Sequence, residues 1–537
     1  MYDTVTVADR RPRAAEHDRS RWAALGVLCT GMLMIVLDAT VVNVALPAIQ
    51  ADLGFSQAGL AWVVNAYLIA FGGLLLLAGR LGDLISRRGV FQVGLAVFTA
   101  ASAACGLAQS QEVLVAARFI QGVGGAMTSA VILGMIVTLF PEPREQAKAI
   151  GFYAFVASAG GSIGLLAGGV LTQAINWHWI FFINIPVGIA TWVLGRRLLE
   201  KDTGAGFGAG ADVLGAVLIT AALVVGIYTI IEPAAKYGWG ADQTLGLGGL
   251  SAALLVAFVA REATTANPLI PLRMFRSRTT SGANVIQALA IAGLFGVFFL
   301  GVLYVQQVLG YDALETGLAY LPTTLVMGTM SMKYAGKLII RFGAWRTLVP
   351  GLALVAAGLV LFARVPVDGS YVVDILPSMI LIGVGVGVCF PALMTLAMSG
   401  ATPQDAGLAS GLVNTSAQVG AAAGLAVLAT MSATRTENLL ATGRPVAEAL
   451  VDGYHVGFWA AAGLTVLAVL VAVGVLRPDR PGATADAHGA ADAHASGEAT
   501  GSGEATGAAE ATGAGPFDAA DADVPDCPDD ELALVGC

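Results

Sequence analysis

Fourteen long apolar runs, separated by short polar stretches, make up most of this 537-residue chain. They cover roughly residues 22–46, 59–78, 90–108, 113–140, 150–174, 180–198, 213–231, 245–260, 281–305, 316–334, 348–363, 372–397, 407–431 and 456–476. Crossing about 30 Å of hydrocarbon takes about 20 mostly apolar residues. Most of the runs reach that length, and the eighth is the shortest. The pattern predicts an all-α integral membrane protein with 14 transmembrane helices.

Basic residues follow the alternation of the runs. With a cytoplasmic N-terminus, the inside segments hold 23 of the 28 Lys and Arg residues, while the outside segments hold only Lys236, Arg364, Arg435 and Arg444. Arg118 falls within a span. This is the positive-inside bias of a multi-pass cell-membrane protein with both termini in the cytoplasm. An odd number of spans would put Arg477 and Arg480 outside. A composition of 56% apolar and 12% charged residues, with a mean hydropathy of +0.76, is poorer in charge than a soluble core of this size. Residues 1–21 are polar and Arg-rich, and the first run is too long for a signal-peptide core, so no cleaved signal is expected.

The net charge of −9 belongs to one end of the chain: residues 477–537 carry 13 acidic and 2 basic residues, leaving the rest near balance. That tail repeats Asp-Ala-His and Gly-Glu-Ala-Thr units and has too few large apolar residues to bury a core, so disorder is expected. Cys29, Cys105 and Cys389 fall in spans and Cys527 and Cys537 in the tail, with no metal-site spacing and no required disulfide.

The runs divide the chain into a cytoplasmic tail (1–21), a six-helix block (22–200), two inserted helices with linkers (201–278), a second six-helix block (279–476) and the acidic tail (477–537). An internal echo relates the two blocks. "AGRLGDLISRRG" (residues 78–89) follows the second span of the first, and "AGKLIIRFG" (335–343) follows the second span of the last. Two related six-helix bundles, with pseudo-two-fold symmetry and a substrate site between them, form a recurring transporter plan.

Three segments carry a family resemblance: "LDATVVNVALP" in the first span, "GRLGDLISRR" after the second and "RFIQGVGGA" in the fourth. They resemble signatures of the major facilitator superfamily, and the span count resembles its fourteen-helix drug:proton antiporter branch. The resemblance covers residues 22–476. It implies that the loop bearing Gly79, Gly82, Asp83, Arg87 and Arg88 helps control a cytoplasmic gate. Gly79 and Gly82 would let helix ends approach. Asp83 would cap a neighbouring helix or pair with a cation. Arg87 and Arg88 would act as latch cations. An ordinary positive-inside turn is the alternative. Ser86 stands where the family usually has Gly, and Ile340 stands at the Asp position of the second copy.

Asp38 and Arg118 are the ionisable residues deep within spans. A charge at a helix centre costs roughly 2.5–3.5 kcal/mol on insertion scales, so both are functional suspects. At 1.5 Å per residue, Asp38 lies about 14 Å and Arg118 about 9 Å below the outer surface. The family resemblance implies that their two helices are neighbours, so Asp38 and Arg118 are expected to interact directly or through water, with Asp38 exchanging the coupling proton. A static ion pair tying two helices is the competing reading.

Gln121, Gly122 and Gly125 continue the Arg118 face. Asn43, Asn65, Tyr67, Asn184, Gln306, Gln307, Asn414 and Gln418 are further candidates for polar lining, each equally able to form a helix–helix hydrogen bond. Gly160, Gly164 and Gly168 form a four-residue ridge that, with Gly169, permits close packing. The segment "GLLAGG" resembles the export-branch motif, with Leu165 at its proline position.

"GVGVGV" (383–388) lies in an apolar span and is no nucleotide loop, and no Walker sequence occurs. The expected protein is a proton-coupled exporter of a small amphipathic drug or antibiotic, not an enzyme. Its coupling ion is the proton and it has no other cofactor or metal. Its partners are the lipid bilayer and a small-molecule substrate, with no nucleic acid or nucleotide, and it is a monomer. With Asp38 the one deep carboxylate, neutral, anionic or weakly charged compounds are favoured over multivalent cations. An importer of the same fold and a non-transporting sensor are the rivals.

Overall fold

In the computed structural model the described residues are 11–204, 206, 210–270, 272–399 and 406–476. The acidic tail, with Arg477, Arg480, Cys527 and Cys537, lies outside them. The described secondary structure is helical throughout. The first half comprises α1 (Arg11–Leu53), α2 (Ala61–Leu84), α3 (Arg87–Gly106), α4 (Gln111–Leu139), α5 (Pro143–Ala174) and α6 (Trp179–Leu198). The inserted pair is α7 (Val213–Tyr237) and α8 (Asp242–Thr264). The second half opens with α9 (Arg278–Val308). Next comes α10, built from Ala313–Thr329, the π-helical Met330–Ala335 and Gly336–Phe342. It closes with α11 (Ala344–Phe362), α12 (Tyr371–Met398), α13 (Ala406–Ala441) and α14 (Val446–Gly474).

Twelve of these helices among the described residues are long and apolar enough to cross a membrane. The two outside that set are α5, whose apolar stretch is the short Ile163–Ala174, and α10, which the π-helical segment divides. The shortest apolar run becomes a 23-residue helix, α8, because polar end residues join it. Most charge is kept out of the helix centres, so helices satisfy their own backbones and pack through small residues.

Each half packs mainly on itself, through α1–α5, α2–α4 and α3–α4 in the first and α9–α13 and α11–α12 in the second. Two seams join the halves, α5 against α10 and α2 against α13. Glycines make both close. A Cβ at Gly169 would meet Ala313 O at 2.6 Å, one at Gly317 would meet Leu165 O at 2.7 Å, and one at Gly72 would meet Gln418 Cβ at 2.7 Å. The other glycines of the α5 ridge face α1: a Cβ at Gly160 would meet Val36 at 3.1 Å, one at Gly164 would strike Thr40, and one at Gly168 would meet Val41 at 2.8 Å. Helix α7 leans on the α2–α13 seam and α8 packs mainly on α7.

Ion pairs and hydrogen bonds mark the two ends of the molecule. Where α1 begins, Arg21 pairs with Glu145 at 3.4 Å; this end is called the near side. At the far side Gln111 donates to Leu53 O and Trp177 to Asp52, both at 3.0 Å. There His178 stacks on Trp177, and His455 hydrogen-bonds Val365 O, as histidines at a helix-end surface do.

Candidate functional site

Close backbone approach assembles the central polar site. Gly124 lets α4 settle on α3, where a Cβ would meet Gly94 O at 2.8 Å. Gly122 and Gly125 do the same against α2, where a Cβ at Gly122 would meet Ala70 Cβ at 2.9 Å and one at Gly125 the Tyr67 hydroxyl at 3.0 Å. Arg118 is thereby pressed onto α2 and donates from Nε to Val63 O at 3.0 Å. Its Nη1 donates to Asp38 Oδ2 at 2.5 Å and to Gln121 Oε1 at 2.6 Å. The other carboxylate oxygen, Asp38 Oδ1, accepts from Gln121 Nε2 at 2.7 Å and Asn184 Nδ2 at 3.0 Å.

A second tier supports these groups. Gln121 Nε2 also donates to Ser102 Oγ at 2.8 Å, Cys105 Sγ donates to Gln121 Oε1 at 3.6 Å, and Ser102 in turn donates to Phe98 O. The guanidinium lies over the Tyr67 ring, 4.5 Å from its centroid, with Phe181 at 5.7 Å. Asp38 is 0% and Arg118 1% exposed. Five helices (α1, α2, α3, α4 and α6) thus meet at one buried ion pair whose carboxylate has three donors on two oxygens. Pairing with hydrogen bonds is what makes a desolvated charge tolerable. The expected Asp38–Arg118 contact is present and direct. Asn184 and Ser102 complete it; each sits in an apolar run where one polar residue signals a partner but does not identify it.

The other polar candidates separate. Gln121 is a ligand of Asp38 and not open lining, and Asn43 is buried and donates to Ala39 O in its own helix at 3.2 Å. For both, the lining expectation gives way to pairing, because a buried amide must find a partner. Gln306 donates across the halves to Val44 O at 2.9 Å. Gln418 sits against Gly72 in the α2–α13 seam, and Asn414 is exposed on α13.

Asn65 and Tyr67 on α2 are buried, and among the described residues the Asn65 amide oxygen and nitrogen and the Tyr67 hydroxyl have no hydrogen-bond partner. Such groups carry a cost of about 1–3 kcal/mol each. Asn65→Leu is expected to leave thermal stability unchanged or higher while lowering transport. A loss of stability with transport intact would make Asn65 a packing residue.

Around Gln307 the far side closes through uncharged groups. Gln307 Nε2 donates to Gln50 Oε1 at 2.9 Å, Tyr454 Oη donates to Gln307 Oε1 at 2.8 Å, and Gln57 Nε2 donates to Tyr454 Oη at 3.4 Å. Together with Gln306–Val44 this ties the ends of α1 and α9 to α14.

In the near-side loop Asp83 takes the second of its two expected roles and pairs with a cation, Arg87, at 2.9 Å. Arg87 reaches Gly134 O and Thr138 Oγ1 on α4, and Arg88 reaches Arg196 O on α6. The cap of α3 comes from Ser86, which accepts from Gly89 N, and from Asp202 in the linker after α6. Asp202 accepts from Ser86 Oγ at 2.5 Å, Arg87 N at 2.6 Å and Arg88 N at 3.2 Å. Chain distance hid this residue, 115 positions from its partner. Gly82 is tight, since a Cβ would strike Val131, but Gly79 is not: its Cβ would have ordinary contact with Ala130 at 3.8 Å. In the second copy the acidic position is taken by Ile340, whose side chain is 83% exposed.

Partial burial pushes the Asp202 carboxyl up, but the Ser86 hydroxyl and the Arg87 and Arg88 amides outweigh it and hold the group below its ordinary value. Its stabilisation is therefore present at neutral pH and is lost as acidification passes from the ordinary carboxylate range down through the folded value. Asp202→Asn should cost at most about 1 kcal/mol, because the site is exposed. Thermal unfolding of parent and variant from neutral to acidic pH should converge; a gap that widens on acidification would refute the assignment.

Joined helical halves around a buried ion pair whose carboxylate is hydrogen-bonded on both oxygens make this a multi-pass membrane protein. The chain belongs to the Major Facilitator Superfamily, whose family model matches residues 28–425. It is 39% identical to the puromycin resistance protein of Streptomyces alboniger, over 86% of this chain and 90% of that one. It is 38% identical to the cephamycin export protein of Amycolatopsis lactamdurans, over 85% and 92%. A solved bacterial homolog of the human lysosomal transporter Spinster superposes with a TM-score of 0.63 at 16% identity, covering 86% of this chain and 98% of that one. The family and the cephamycin relative are concerned with transport.

Proposed function

We propose that this protein is a fourteen-helix proton-coupled antiporter that expels small amphipathic compounds of the antibiotic class from the cell. The two six-helix halves are related by pseudo-two-fold symmetry, with α7 and α8 inserted and both termini in the cytoplasm. The seams support the symmetry, since each pairs the fifth helix of one half with the second of the other. The positive-inside bias makes the near side cytoplasmic, so the Gln50–Gln307–Tyr454 closure lies outside and the protein stands closed to the exterior.

The buried Asp38 network is the observation that carries the coupling. Three donors occupy the carboxylate, so a proton reaches it only when one donor withdraws. Movement of α4 or α6 against α1 during alternating access is the step that does so. The proton is then accepted with the exterior open and released as Arg118 returns. The resistance and export relatives support outward flux of an antibiotic-like compound. The test is expression in a drug-sensitive host with a compound panel, followed by flux in inside-out vesicles. Acidifying the vesicle interior should drive compound inward with proton release; compound leaving those vesicles down the same gradient would make the protein an importer.

A further inference from the structure

The inserted pair holds a second buried acidic site, which sequence inspection missed by placing deep ionisable groups only at positions 38 and 118. Asp212 caps α7: its Oδ1 accepts from Gly215 N at 2.9 Å and from Arg261 Nε at 3.2 Å. Glu262, in the last turn of α8, accepts from Ile270 N through Oε2 at 2.8 Å. Asp212 is 3% and Glu262 4% exposed. The remaining oxygens, Asp212 Oδ2 and Glu262 Oε1, are buried without a hydrogen-bond partner among the described residues.

These two oxygens converge. A Cβ at Gly215 would meet Asp212 Oδ2 at 2.8 Å and Glu262 Oε1 at 2.9 Å, so their separation cannot exceed those two lengths laid end to end. Arg261 of α8 is the cation on Asp212. Arg80 of α2 donates to Gly210 O at 3.3 Å, and Asn267 lies beside Gly210. Within α7, Val213–Ile231 contributes no charged residue. Two carboxyl groups this close cannot both stay ionised cheaply when buried. Among the described residues no cluster of three or more acidic, His or Cys side chains could hold a metal, which favours a proton over a cation.

We propose that Asp212 and Glu262 share one proton between Oδ2 and Oε1, forming a proton-binding site separate from Asp38. The site is wired to the near-side loop. Gly204 N and Gly206 N donate to Ile85 O and Leu84 O, each at 2.9 Å, and Arg80 holds Gly210, two residues before Asp212. Release of the proton would put repulsion at the foot of α7, beside the loop that follows α2. The site stands whether or not Asp38 couples transport.

The test is pH-difference infrared spectroscopy of the purified full-length protein in lipid nanodiscs, alongside thermal unfolding. At neutral pH the parent should show a protonated-carboxyl C=O band that Glu262→Gln removes. The proton is held more tightly folded than unfolded, so parent stability should fall as rising pH releases it, while Glu262→Gln, with a neutral amide in place, stays flat. Asp212→Asn leaves one carboxylate facing Arg261 and should also abolish the band, which keeps the test open if the first variant does not assemble. A parent without such a band, a Glu262→Gln protein less stable at every pH, or stability that rises instead with added divalent cation would each overturn the proposal.

Discussion

Asp38→Asn should reduce proton-driven export to background and destabilise the protein by about 3–5 kcal/mol, the usual cost of breaking a buried ion pair. The new amide can still accept from Gln121 and Asn184, but its nitrogen would face Arg118 Nη1, leaving a buried guanidinium with no counter-charge. Stability and function therefore fall together in the single variant, and a second substitution separates them. With Arg118→Gln added, the new glutamine carbonyl can accept from the new amide, and all groups are neutral. Most of the lost stability should return, less the contribution of the guanidinium stacked on Tyr67, about 2 kcal/mol when desolvated. Export should not return, because no group remains to carry the proton. Thermal unfolding and vesicle flux on the same preparations read both. A double variant that exports at the parental rate would reduce the pair to a structural tie.

Joining the halves across a seam should stop transport as completely. The β-carbons of a Gly72→Cys, Gln418→Cys pair would start nearer than the roughly 3.8 Å of a disulfide, so a small outward shift completes the bond. The parent for this test carries Cys527→Ser and Cys537→Ser. The native Cys29, Cys105 and Cys389 are free and buried, and stay. Oxidation should drop export to background and reduction should restore it, with neither single-cysteine variant responding. Parental export from protein confirmed as cross-linked by mass spectrometry would mean that α2 and α13 move as one body.

Much of this was legible from residue order. Helix positions followed from apolar run length, and α4 begins and ends within two residues of its run. The pairing of Asp38 with Arg118 followed from two depths together with the family resemblance, which makes their helices neighbours. Gly122 and Gly125, three apart, and the α5 ridge, spaced by four, could be read as close-packing positions because either spacing keeps residues on one helix face. What was not legible was which face met which neighbour. Gly169 continues the ridge by composition yet serves the seam with α10, and Gly79, in the same loop as Gly82, has room to spare.

The amino-acid order by itself determined that this chain is a helical membrane protein and that Asp38 and Arg118 lie deep within its helices. Each of these is a local quantity: apolar length, charge count, or depth per residue. Tertiary structure alone decided the company those charges keep. Asn184 and Ser102 complete the Asp38 site, Asp202 crosses to cap α3, and Asp212 and Glu262 turn inward at helix ends. A polar group near the end of a span is exposed or buried according to what packs over it, and that covering comes from segments far away in the chain.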